Sequence, residues 1–97
     1  MTENDLTSAP TLFLLLAQYG GRTVVPLALV CRDFFPHLSE EKLLRKCLRG
    51  DLALPIVRIE QSQKAARGVH LTDLAAYIDE RREAAIKERD QLCGQDP

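Results

Sequence analysis

SEEKLLRKCLRG, residues 39–50, decides how this chain is read. Wound at about 100° per residue, the segment separates into two arcs. Leu43, Leu44, Cys47 and Leu48 fall on one, and Lys42, Arg45, Lys46 and Arg49 on the other. Ser39 is placed to cap the first free amides, and Glu40 and Glu41 sit where the helix dipole favours acids. Gly50 follows as a left-handed stop. The pattern predicts a short helix over 40–49 with a buried face and a strongly basic outer face. A solvated helix face usually mixes its charges, because Glu–Lys pairs four apart add a few tenths of a kcal/mol. Crowded like charges instead fit an anion lying against them.

The segments on either side extend this reading. Before the basic helix, LALVCRDFF (27–35) carries Leu27, Val30, Cys31 and Phe34 at helical spacing. Pro26 suits its first position, and Pro36 forbids continuation. PHLS (36–39) is a tight connection, so two short helices with a basic second one form a helix-turn-helix outline. After it, IVRIE (56–60) and RGVHL (67–71) alternate as half-buried strands, with QSQKAA (61–66) as the turn. Ile56 and Ile59 do not share a face in strict alternation, so the first strand is expected to start late or to bulge. The hairpin over 56–71 is expected to form a wing, with Ser62, Gln63 and Lys64 at its tip and Arg58 and Arg67 behind. TVV (23–25) is expected to be a brief extended piece.

Toward the termini the expectations are simpler. Residues 1–10 are expected to be a disordered tail, with Thr11 capping a helix. Leu12, Phe13, Leu14, Leu15, Leu16 and Ala17 leave that helix almost no polar face. Such a helix is expected to pack on its own core and, through Leu12, Phe13, Leu15, Leu16 and Tyr19, on a second subunit, with the last helix as a further candidate for that interface. TDLAAYIDERREAAIKERDQL (72–92) predicts a long helix capped by Thr72, with Leu74, Ala75, Ile78 and Ala85 facing inward. Residues 91–97 are expected to be a flexible tail. One domain, 11–90, is expected: mainly α with a small β-hairpin, a winged helix-turn-helix with an apolar N-terminal helix and a long C-terminal helix.

Charge is distributed unevenly. The net charge is -1, yet residues 42–67 hold seven basic groups against Asp51 and Glu60, a local +5, while each flanking segment sums to -3. The cations of the middle block (Lys42, Arg45, Lys46, Arg49, Arg58, Lys64 and Arg67) are expected to bind DNA together with Ser62 and Gln63. A ten-residue helix, about 15 Å long, suits the major groove, and the hairpin cations suit flanking phosphates.

Other chemistry is poorly supported. Cys31, Cys47 and Cys93 are widely spaced without CxxC, which makes a zinc site improbable and suits a reducing cytoplasm. His37 and His70 lack a readable nucleophile partner. Glu40 and Glu41 diverge by about 100° on a helix, and GGR lacks the spacing of a phosphate loop. No enzyme, cofactor or metal is expected. TLFLLLAQY is too short to cross a bilayer, and MTENDLTSAP lacks a basic n-region, so the chain is expected in the cytoplasm.

From TLFLLLAQYGG through VPLALVCRDFFPHLSEEKLLRKCLRGDLALPIVRIEQSQKAARGVHLTDLAAYIDERREAA, about residues 11–86, the chain resembles the pyocin activator protein family. RKCLRGDLALP, SQKA and GVHLTDLAAYID are the most specific stretches. The resemblance implies a bacterial transcriptional activator that binds promoter DNA of bacteriocin genes during the response to DNA damage. The order helix, wing, helix also resembles the winged domains of excisionases and of the mercury-resistance regulators. The expected partners are promoter duplex, a second copy of the chain, and RNA polymerase. Two alternatives stay open: an adaptor or anti-repressor gripping a protein through its apolar first helix, and an excisionase-like architectural DNA bender.

Overall fold

A computed structural model describes residues 3–62 and 64–94. Among them are four helices and a small antiparallel sheet: α1 (Glu3–Gln18), β1 (Val24–Pro26), α2 (Leu27–Phe34), α3 (Glu40–Leu48), β2 (Val57–Arg58), β3 (Arg67–His70) and α4 (Leu71–Leu92). The fold is mainly helical, with a long C-terminal helix.

α1 begins eight residues before the expected start at Thr11 and contains Pro10. The helix thus runs through residues 3–10 of the span expected as a tail, while residues 1 and 2 lie outside the described residues. A proline removes one amide donor and strains one turn, at about 3 kcal/mol, but its φ near −65° is itself helical. Thr11 is accordingly an interior residue, and its hydroxyl donates to Asp79 Oδ1 at 2.7 Å instead of capping. That bond fastens α1 to α4. The helix ends where Gly20 and Gly21 take φ of 66° and 81°, and the Gly21 amide reaches back to the Leu16 carbonyl at 2.7 Å.

The sheet order is β1-β3-β2, both pairings antiparallel. Val25 lies opposite Val69, and both are fully buried. Pro26, which has no amide hydrogen to offer, sits on the edge strand opposite Gly68. Gly68 is buried with an ordinary backbone, and its importance lies in space. A Cβ there would stand 2.6 Å from the Val25 carbonyl oxygen. The expected hairpin is present but shorter: β2 is only two residues, continued by one bond from the Ile59 amide to the Ala66 carbonyl at 3.2 Å. Ile56 packs on the core while Ile59 is exposed, the split that their odd spacing demands.

Leu15 of α1, Tyr19 just past its end, Val30 of α2, Leu43 of α3, Val69 of β3, and Leu71, Leu74 and Ala75 of α4 belong to one apolar core. The α2–α3 connection is held from inside. The buried Cys31 thiol donates to the Leu38 carbonyl at 3.1 Å, and the Leu38 amide donates to the Phe35 carbonyl at 3.0 Å. Three details of the expected helices are corrected. His70, not Thr72, caps α4, its Nδ1 accepting from the Thr72 amide at 3.1 Å. Leu48 is 56% exposed, because the core covers α3 only along Leu43, Leu44 and Cys47. Ala85 is exposed as well, since the core packed on α4 ends near Ile78. α4 also runs through Leu92, past the tail boundary expected at 91, and residues 95–97 lie outside the described ones.

Candidate nucleic-acid interface

α3 is built as its sequence dictates. The Ser39 hydroxyl accepts from the Lys42 amide at 3.1 Å, and Glu40 and Glu41 occupy the first turn. At the other end Gly50 takes φ of 80°. Its amide donates to the Cys47 carbonyl at 3.2 Å, and the Asp51 amide donates to the Lys46 carbonyl at 2.9 Å. This paired closure satisfies two carbonyls that a helix end otherwise leaves open. Capped at both ends and anchored by the fully buried Leu43, the helix presents Lys42, Arg45, Lys46 and Arg49 to solvent, all four exposed.

Among the described residues, Arg49 alone of these four has an acid within 4 Å, Asp51, its Nε 3.7 Å from Oδ2. Both side chains are largely exposed and the separation exceeds a hydrogen bond, so the pair is worth well under about 1 kcal/mol. Such a contact yields readily to a phosphate. The half-buried Cys47 thiol faces the core side of the helix, and burial pushes its pKa up, which keeps it neutral.

On the hairpin, Arg58 and Arg67 are directly opposed residues of β2 and β3. Opposed residues share one face of a sheet, so the two guanidinium-bearing side chains stand side by side. Arg58 is exposed and Arg67 half-buried. At the tip, the Ser62 hydroxyl accepts from the Lys64 amide at 3.1 Å and its carbonyl accepts from the Ala65 amide at 3.1 Å, which turns the chain. Lys64 is exposed, and Gln63 lies outside the described residues.

Helix and hairpin adjoin. An open groove of about 580 Å³ is lined by Glu40, Glu41 and Leu44 of α3 and by Ala65, Ala66 and Arg67 of the hairpin's return arm. The shared wall brings two basic elements together, but it does so at α3's acidic first turn. Sequence reasoning treated those two glutamates as dipole partners alone and missed that they border the hairpin. Nothing local in the sequence signals this neighbour.

The expected subunit interface divides. Leu15 and Tyr19 are buried in the chain's own core, and Leu12 and Leu16 are half-buried against it. Phe13 is 72% exposed, and so is its neighbour Leu14 at 67%. Tyr19 has a further tie: its hydroxyl donates to Asp33 Oδ2 at 2.6 Å, while Arg32 Nε holds Asp33 Oδ1 at 2.7 Å. Those contacts, Arg32 first and Tyr19 second, hold the Asp33 carboxyl below its ordinary pKa. Burial, reinforced by the Asp33 carboxylate, drives the Tyr19 phenol well above its own. Among the described residues no group of three or more His, Cys, Asp or Glu is arranged to hold a metal, and no helix is long and apolar enough to cross a membrane.

A small helical protein with two consecutive helices, a basic exposed second helix and an adjoining basic hairpin is the class defined so far. A family model described as "Pyocin activator protein PrtN" matches residues 11–85, most of the 97-residue chain, and the chain belongs to that family. The family is one of pyocin gene regulators, not a known family of enzymes. No curated protein and no solved structure matches the chain.

Proposed function

We propose that this protein is a sequence-specific DNA-binding activator of pyocin genes, acting in the bacterial cytoplasm as a winged helix-turn-helix. In this reading α2 and α3 are the two helices and the β2–β3 hairpin is the wing. The observation that carries it is the adjacency of α3 and the hairpin, with the cations of α3 exposed along the arc opposite Leu43. The helix is short enough to lie in a major groove about 12 Å wide. Arg45 and Arg49, four apart, are placed to fork onto guanine O6 and N7, and Lys42 and Lys46 to take a base edge or neutralise phosphate. Leu48, exposed and one turn from Arg45, suits a thymine methyl. Arg58, Lys64 and Arg67, with the uncharged donors Ser62 and Gln63, hold the flanking backbone.

One short helix reads too few base pairs to find a promoter, so a homodimer or larger assembly is part of the proposal. The exposed Phe13–Leu14 pair leaves α1 available to a second copy or to RNA polymerase. It also favours one of the two rival readings, an adaptor that grips another protein through α1. Activation during the DNA-damage response follows from the family resemblance.

Two single variants test the assignment of roles. Arg45→Ala is expected to cost about 1–3 kcal/mol on promoter DNA and to relax preference at one base position, whereas Lys64→Ala weakens all sequences alike. Binding titrations on promoter and scrambled duplexes separate the two. Equal, negligible effects of both would remove the DNA-reading role of this surface.

A further inference from the structure

One stripe of α4 starts in the core and ends on a face that the other described residues leave exposed. Residues 74, 78, 81, 85, 88 and 92 recur three and four apart, which places them along one stripe. At its first half the stripe belongs to the fold: Leu74 is fully buried and Ile78 packs on the core. Beyond that the stripe continues into solvent, with Arg81, Ala85 and Glu88 exposed and Leu92 81% exposed. α1 takes a different side of the helix, joined through Asp79.

The base of the stripe opens into an apolar groove of about 280 Å³ between α4 and the α2–α3 turn, walled by Phe34, Leu74, Tyr77 and Ile78, with the exposed His37 and Arg81 beside them. One helix therefore carries a large exposed apolar side chain at one end and a fitting apolar hollow about four turns away. It also carries opposite charges between them: among the described residues neither Arg81 nor Glu88 has an ion-pair partner.

We infer that this face pairs with the same face of a second copy, α4 antiparallel to α4 about a two-fold axis at the Ala84–Ala85 step. The pairing is isologous, so every contact is made twice. That centre sets Leu92 of each copy opposite Tyr77 of the other, over the groove. It sets Glu88 opposite Arg81, one carboxylate to one guanidinium. At the axis it puts only alanines, whose small side chains let two helix backbones approach closely. The exposed patch on α1 has no such charge match: residues 6–21 contain no charged group. The inference deepens the proposed dimer by naming its surface, but it does not depend on DNA binding.

Sedimentation equilibrium of the full chain without DNA tests it. The wild-type chain associates to a dimer, and Leu92→Glu raises the dissociation constant about tenfold or more. Glu88→Arg weakens pairing similarly, and adding Arg81→Glu to it restores pairing. Phe13→Glu leaves association unchanged. All four positions are exposed, so helix content by circular dichroism stays at the wild-type level. A wild-type chain that is monomeric at high micromolar concentration, a Leu92→Glu chain that dimerises as wild type does, or a charge swap without rescue overturns the inference. If Phe13→Glu alone dissociates the dimer, the axis lies on α1 and the inference fails while the DNA reading stands.

Discussion

The α2–α3–hairpin half and the α1–α4 half solve the same problem, hiding an apolar face, in opposite ways. α3 buries Leu43 completely within its own chain and turns a uniform set of cations outward. α1 buries Leu15 but leaves Phe13 and Leu14 in solvent, and α4 runs on past the core to an exposed Leu92. On the proposed reading, the exposed charge of the first half and the exposed apolar surface of the second answer to two kinds of partner, a polyanion and another protein surface. The difference teaches that the exposed remainder of an element, after its packing is accounted for, is the informative part.

The sharpest way to break the first half lies in the sheet that supports the hairpin. Gly68→Ala puts a Cβ 2.6 Å from the Val25 carbonyl oxygen, and backbone cannot yield as a side chain would. A loss of about 3 kcal/mol is expected, lowering Tm by roughly 15 °C. A thermal melt near the wild-type value would show that β1 and β3 are not held so closely. A smaller effect is expected at the start of α3. Ser39→Ala removes the acceptor of the Lys42 amide and costs about 1 kcal/mol by urea denaturation.

The α1–α2 junction gives a weaker, pH-dependent effect. Asp33 is held below its ordinary pKa by Arg32 and then by Tyr19. A depressed carboxyl contributes stability above its unfolded-state pKa, and that contribution disappears as the pH falls through its folded-state value. Tyr19→Phe is therefore expected to raise the Asp33 pKa, read by its side-chain carboxyl NMR titration, and to move the acid-unfolding midpoint upward. An unchanged Asp33 titration would mean the 2.6 Å bond is not made in solution.

Much of this was legible in the chain before its fold was known, and the boundary of legibility is physical. α2 and α3 were readable because each buries a stripe in a helical period and carries its own end signals, Pro26, Ser39 and Gly50. The exposure of Lys42, Arg45, Lys46 and Arg49 followed from the same wheel. α1's true start was hidden because Pro10 reads as a boundary, although a helix can continue through it. Leu48 and Ala85 were expected inside because a wheel gives direction but not how far the neighbouring core extends. β1's place beside β3, and with it the need for Gly68, came from contacts more than forty residues apart that no local pattern records. The groove joining Glu40 and Glu41 to the hairpin is of the same kind.

The most direct test is a salt titration of promoter-DNA affinity for the wild-type chain and for Arg45→Ala/Lys46→Ala/Arg49→Ala. A basic ridge on the duplex gives the wild type a log–log slope of about −4 per chain, and the triple variant a shallower slope with at least about a hundredfold weaker binding. Promoter affinity that barely changes with salt, or a triple variant that binds as tightly as the wild type, would contradict it.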